Sequence, residues 1–181
     1  MATPPAEITT LLEKASCLYS AAEVESAIEN LAGRISEDFK AKNPILLPVM
    51  NGGLPTAASL MKHFEFPLQL DYVHLTRYRD TTSGGDINWI YRPRIELKGR
   101  EVILIDDLLD HGITLNEAVV HCRDSGAKSV STVVLVVKQI QNRPGLKEVD
   151  YFALQTPDKY LFGYGMDYKS YWRNAPGIFA I

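Results

Sequence analysis

Apolar and polar positions follow two different rhythms along the chain. Between residues 20 and 40, Val24, Ile28, Leu31, Ile35 and Phe39 recur every three or four positions, which predicts a helix with one buried face. Ser20 and Glu23 have the spacing of a capping box at its start. Elsewhere the apolar runs are unbroken. "PILLPVM" (44–50), "EVILID" (101–106) and "SVSTVVLVVK" (129–138) read as strands covered on both faces. "LQLDYVHLTRY" (68–78), with its β-branched and aromatic residues, predicts another strand, as do "DYFALQT" (150–156) and "YLFGYGM" (160–166). "LPTAASLMKHF" (54–64) and "TLNEAVVHCRDSG" (114–126) read as helices, the second stopped by Gly126. "RDTTSGGDINWIYRPR" (79–94) is polar and glycine-bearing, and is expected to be a long lid or binding loop. The final "DYKSYWRNAPGIFAI" is aromatic and lacks helical spacing.

The order β-α-β, loop, β-α-β, β predicts an α/β fold with a parallel-stranded sheet and helices on both faces. Its crossovers should be right-handed, and ligands should sit beyond the carboxyl ends of the strands. The turns "NGG" (51–53) and "DHG" (110–112) fall there.

Composition narrows the picture. A chain of 181 residues suits a single domain over 1–181, and 46% hydrophobic with 23% charged residues is ordinary for a soluble globular protein. No apolar run approaches the ~20 residues of a membrane helix, and "MATPPAEITT" is not a secretory signal. Cys17 and Cys122 form neither a disulfide framework nor a metal spacing, so a reducing cytoplasm is expected. A net charge of −3 lacks the basic excess of a general nucleic-acid binder. A bound anion would therefore be held by local backbone amides, a metal or a few cations.

The strand 101–106 ends in the densest chemistry. Asp106 and Asp107 are adjacent carboxylates that resist joint ionisation unless a divalent metal or a pair of sugar hydroxyls relieves them. Asp110 follows at the start of a turn. His111, Gly112, Ile113 and Thr114 then lead into a helix N-terminus, whose amides and the Thr114 hydroxyl form an anion cradle. Gly112 lets backbone approach a phosphate. Together these residues describe a site for a sugar with a phosphate at one end and hydroxyls at the other. Two other readings fail. A phosphorelay receiver needs an aspartate at the end of a later strand, where this chain has Lys138, and no G-x-G-x-x-G follows any strand.

"VILIDDLLDHGITL" resembles the ribose-phosphate signature of the type I phosphoribosyltransferases. "VMNGG", "LTRYRDTTSGGDI", "VVLVVK" and "DKYLFGYGMDYKSYWRN" resemble the pyrophosphate loop, lid, base-binding strand and C-terminal segment of the hypoxanthine-guanine branch. The resemblance covers residues 15 to 181. It implies transfer of a 5-phosphoribosyl group from phosphoribosyl pyrophosphate to hypoxanthine or guanine, with Mg2+ required. It also implies a small hood formed by terminal segments, about 1–20 and 150–181, and a homodimer or homotetramer.

By similarity, Asp106 and Asp107 would hold the ribose hydroxyls and magnesium, and Asp110 would act as general base or acid toward the purine. His111 to Thr114 would bind the 5-phosphate. Lys138 would donate to the purine O6, Tyr160 would stack on the ring, and the Leu161 backbone would read its edge. Asp167 would ligate a second magnesium and Arg173 would grip pyrophosphate. Met50, Asn51, Gly52 and Gly53 would form the pyrophosphate loop, with a cis peptide before Asn51. Arg77 and Tyr78 would belong to the lid. The chain departs from the family where lysine commonly replaces Asn51, threonine replaces His111 and serine replaces Arg77. His111 is expected to add a titratable donor near the 5-phosphate; Arg77 either contacts pyrophosphate or faces water. Two other functions fit the same residues: a regulator that keeps the fold and binds a nucleotide, and a sister transferase preferring xanthine.

Overall fold

A computed structural model describes residues 4–77 and 87–181. Two one-turn helices, α1 (Ala6–Thr9) and α2 (Leu11–Lys14), and a short strand β1 (Ser16–Tyr19) precede the long helix α3 (Ala21–Phe39). The capping box forms as its spacing predicts. The Ser20 hydroxyl accepts from the Glu23 amide, and the Glu23 carboxylate accepts from the Ser20 amide at 2.8 Å. Val24, Ile28, Leu31, Ile35 and Phe39 are all buried. Each such side chain contributes about 1.5–3 kcal/mol, so a cavity-forming Ile28→Ala would cost about 2–5 kcal/mol.

The chain continues through β2 (Ile45–Met50), α4 (Gly53–Met61), β3 (Gln69–Leu70), β4 (Val73–Arg77) and β5 (Ile87–Tyr91). Then come β6 (Glu101–Leu109), α5 (Ile113–Asp124), β7 (Ser129–Lys138), β8 (Tyr151–Thr156), β9 (Leu161–Phe162) and β10 (Ile178–Ala180). The main sheet runs β5-β4-β2-β6-β7-β8, with β3 also beside β2, and every pairing is parallel except β4 with β5. Helices cover both faces. Ile103 and Ile105 of β6 pack toward α3 and α4, while Val102 and Leu104 pack toward α5. Alternate residues of one strand thus feed opposite cores, which is why the run is apolar without a break. A second, three-stranded antiparallel sheet, β1-β10-β9, is made by the two ends of the chain. Tyr164 ties this end to the helices: its hydroxyl meets Ser59 Oγ at 2.6 Å and Glu25 Oε1 at 2.8 Å.

The structure revises several boundaries. The expected loop 79–94 contains a strand, β5, whose residues alternate between half-buried and exposed as an edge strand allows. Trp89 anchors it, donating to Glu117 Oε1 at 3.3 Å and packing on the His121 ring. The expected strand 68–78 is broken into β3 and β4, where Asp71 accepts from the Tyr72, Arg94 and Ile95 amides. Burial raises the Asp71 carboxyl and these bonds outweigh it, leaving its pKa below the ordinary value. The expected strand 160–166 is a strand only at Leu161–Phe162, because Gly163, Tyr164 and Gly165 have φ of 98°, 47° and 104°. Tyr151–Thr156 lies in the main sheet, next to β7.

Candidate active site

The carboxyl ends of β2, β4, β6 and β7 converge with the start of α5 and the segment 160–173 around two adjoining cavities. One, of about 280 Å³, is lined by Met50, Asn51, Gly52, Arg77, Asp106, Asp107, Asp110, His111 to Thr114 and Arg173. The other, of about 410 Å³, is lined by Leu108, Lys138, Tyr160, Leu161, Met166 and Asp167. Asp107, Leu108, Asp110 and Thr114 belong to both.

Strand β6 extends beyond Asp106 because β7 stays paired with it as far as Leu109 and Val137. The paired carboxylates are therefore held on rigid backbone. Burial, reinforced by the Asp107 charge, pushes the Asp106 carboxyl well above the usual carboxylate range, and burial raises Asp107 too. A positive charge placed here would be strongly favoured.

After β6 the chain turns through Gly112, at φ 73°, into α5. That helix start has no side-chain cap, and Gly112 to Leu115 line the first cavity, which places the positive end of the helix dipole at its wall. Glycine at 112 has a second cause besides its backbone angle: a Cβ would run into the Leu146 backbone. The Met50–Asn51 bond is cis. A Cβ on Gly52 would overlap the Asp107 carboxylate, and a Cβ on Gly165 would overlap the Gly52 carbonyl. Backbone 50–52 is thus clasped between β6 and the C-terminal segment.

In the second cavity, Lys138 is only 8% exposed and its ammonium lies 3.4 Å from Asp110 Oδ1 and 3.5 Å from Asp158 Oδ1. Asp110 Oδ1 is buried and, beyond its ion pair with Lys138, accepts no hydrogen bond. His111 Nδ1 stands 3.2 Å from Asp110 Oδ2. Arg173 pairs with Asp167 at 2.5 Å and donates to the Gly165 carbonyl at 2.5 Å. The Tyr160 ring is 49% exposed and its hydroxyl donates to the Asp167 carbonyl.

The structure thus gathers nearly all the residues singled out from sequence. Gly53 is the exception: it starts α4 against the Ile105 carbonyl rather than lining either cavity. Tyr78 lies outside the described residues. Sequence reading missed Met166, Asp158 and Arg143. Asp158 sits in "TPDK", which reads as a plain exposed turn, and Met166 in an apolar stretch that reads as core. Among the described residues, no cluster of three or more His, Cys, Asp or Glu side chains is arranged to hold a metal by protein ligands alone. No helix among them is long and apolar enough to cross a membrane.

Residues 15–170 match the family described as the phosphoribosyl transferase domain. The hypoxanthine-guanine phosphoribosyltransferase of Bacillus subtilis is 30% identical over 162 residues, 89% of each chain. The hypoxanthine-guanine-xanthine phosphoribosyltransferase of Tritrichomonas foetus is 27% identical over 161 residues, 89% of this chain and 88% of that one. A solved hypoxanthine-guanine phosphoribosyltransferase from Bacillus anthracis has a TM-score of 0.85 at 25% identity, covering 92% of this chain and 98% of its own.

Proposed function

The chain belongs to the phosphoribosyltransferase family and is an enzyme of purine salvage, and from that premise we propose that its paired cavities transfer the 5-phosphoribosyl group of phosphoribosyl pyrophosphate to hypoxanthine or guanine. The observation that carries this is the joint position of Lys138 and Asp110, 3.4 Å apart in one cavity, beside the uncapped start of α5 in the other.

The amides of residues 111–114 and the Thr114 hydroxyl hold the 5-phosphate, as the helix dipole favours an anion there. Asp106 and Asp107 take the ribose hydroxyls. The cis-linked backbone 50–52 and Arg173 lie along the pyrophosphate, and Arg77 borders the same cavity. In the other cavity the Lys138 ammonium donates to the purine O6. This favours a 6-oxo over a 6-amino base, because an amino group presents hydrogens to a donor. Tyr160 covers the ring, and the Leu161 backbone reads its edge. As the ring nitrogen bonds to the ribose carbon and pyrophosphate leaves, Asp110 Oδ1, which accepts no hydrogen bond from the protein, accepts the imidazole proton. His111 beside Asp110 orients that carboxylate through its other oxygen.

Magnesium fits the donors present. Asp106 and Asp107 crowd each other, and Asp167 lines the second cavity together with Asp107. When bound, the ion neutralises charge on the departing pyrophosphate. One or two carboxylates, completed by substrate oxygens and water, are the usual complement for this cation. The protein is cytoplasmic and forms a homodimer or homotetramer in this reading, which light scattering on purified protein would test.

The comparisons lend the nucleotide-binding regulator no support. The Tritrichomonas foetus relative keeps xanthine open as a third base. The deciding experiment is an absorbance assay with phosphoribosyl pyrophosphate and magnesium, running hypoxanthine, guanine, xanthine and adenine side by side. Turnover of the first two and none of adenine is expected. Turnover of xanthine alone would shift the substrate; turnover of none would remove the function.

A further inference from the structure

The segment 139–150, between β7 and β8, is fastened to the back of the active site. Arg143 is half-buried there. Its Nε donates to the Asp110 carbonyl at 2.9 Å, one terminal nitrogen donates to the Lys138 carbonyl, and the other donates to the Lys147 carbonyl at 3.3 Å. Asp110 follows the end of β6 and Lys138 ends β7, so both carbonyls lie where ladder bonding between the strands has stopped. One planar guanidinium thereby joins the backbone of the two residues that face the purine. A rigid fork of donors can do this; a single ammonium cannot.

A second set of bonds from the same segment reaches the neighbouring turn. The Gly145 amide donates to the His111 carbonyl and the Leu146 amide to the Gly112 carbonyl, both at 3.0 Å. A Cβ on Gly145 would overlap Gly112 and the Ile113 nitrogen. These bonds are made by backbone and survive loss of the arginine side chain. The segment therefore has two separable grips: Arg143 on the base-facing pair, and Gly145–Leu146 on the phosphate turn.

We propose that Arg143 is a positioning residue for the purine half of the reaction, fixing the separation of Asp110 and Lys138 through their carbonyls. It touches no substrate. This rests on the phosphoribosyl transfer proposed above.

The test is steady-state transfer to hypoxanthine by full-length wild type, Arg143→Ala, Arg143→Lys and Gly145→Ala, with thermal melts on each. For Arg143→Ala, kcat should fall about 100-fold, the scale of an ångström-sized misplacement, and the KM for hypoxanthine should rise. The KM for phosphoribosyl pyrophosphate should stay near the wild-type value. Guanidinium ion added to Arg143→Ala should restore part of the lost kcat, while tetramethylammonium at equal ionic strength should not. Arg143→Lys should recover only part of the activity. Gly145→Ala should show the opposite split, raising the KM for phosphoribosyl pyrophosphate most. An unimpaired Arg143→Ala overturns this role alone. Equal loss in both KM values without guanidinium rescue also overturns it, as the mark of a loop that merely collapses. A wild type that transfers to no 6-oxopurine overturns the reaction and this role together.

Discussion

Lys138 Nζ stands 3.4 Å from Asp110 Oδ1, so the ammonium proposed to face the purine and the carboxylate proposed to receive its proton share one ion pair. Removing the ammonium costs the enzyme twice. The purine O6 loses a charged donor, worth about 1.5–3 kcal/mol, and Asp110 loses a neighbour that holds it in place. For Lys138→Gln we expect kcat/KM for hypoxanthine to fall at least about 10-fold, the low end of that energy, and the preference over adenine to shrink. Unchanged discrimination between the two bases would remove Lys138 from the specificity pocket.

Gly52 has no room for a side chain. Its missing Cβ would coincide with the Asp107 carboxylate, so Gly52→Ala must displace either the loop or that carboxylate. We expect transfer to fall about 100-fold, through misplacement rather than unfolding. Phosphoribosyl pyrophosphate with magnesium, which should raise the melting temperature of wild type, should raise that of the variant much less. A variant with full ligand-induced stabilisation would show that the loop relaxes freely.

The half-buried carboxylate pair also fixes a pH dependence. Asp106 has a folded-state pKa well above its ordinary value of 3.8, through burial and then the Asp107 charge. Such a carboxyl binds more protons folded than unfolded. It therefore stabilises as pH falls from the folded pKa toward the unfolded one, and destabilises as pH rises through it. In chelator at pH 7, Asp106→Asn should melt higher than wild type, by about 2–4 °C for each kcal/mol of relieved desolvation. The gap should narrow toward pH 4, and transfer should be lost. A variant that melts lower at pH 7 would mean the pair is already neutralised by the protein.

Because no described cluster of three or more His, Cys, Asp or Glu side chains can hold a cation by itself, magnesium and pyrophosphate should bind together. Magnesium typically keeps one or two carboxylates and completes its shell with phosphate oxygens and water. Titrating magnesium alone by calorimetry should give weak heats, and titrating it with pyrophosphate present should give a saturating isotherm. Tight binding of the metal alone would mean a preformed site.

Much of the frame was readable from the sequence, and for identifiable reasons. The strands β2, β6 and β7 are covered on both faces, so burial leaves an unbroken apolar run. The Ser20–Glu23 pair is a local hydrogen-bond exchange that needs no knowledge of the rest of the chain. The edge strand β8 was readable as well, as residues 150–156, but the edge strand β5 and the terminal strands β1 and β10 were not. β5 gains its order from Trp89 meeting Glu117 and His121 on a distant helix, and β1 gains its order from β10. The same split holds in the site. Asp106, Asp107, Asp110 and the turn after them are contiguous and chemically dense. Asp158, Met166 and Arg143 acquire their places only when remote segments meet.

The terminal sheet has a consequence for the order of manufacture. β10 is the middle strand, between β1 and β9, so the first strand made waits for the last before either can complete its ladder. Leu161, in β9, forms part of the wall of the cavity proposed for the purine. On the ribosome the phosphate turn can therefore close around its ligand well before a purine has a finished wall to meet. A nascent chain stalled ahead of Ile178 should carry half a binding site, and sugar phosphate should be the half it recognises.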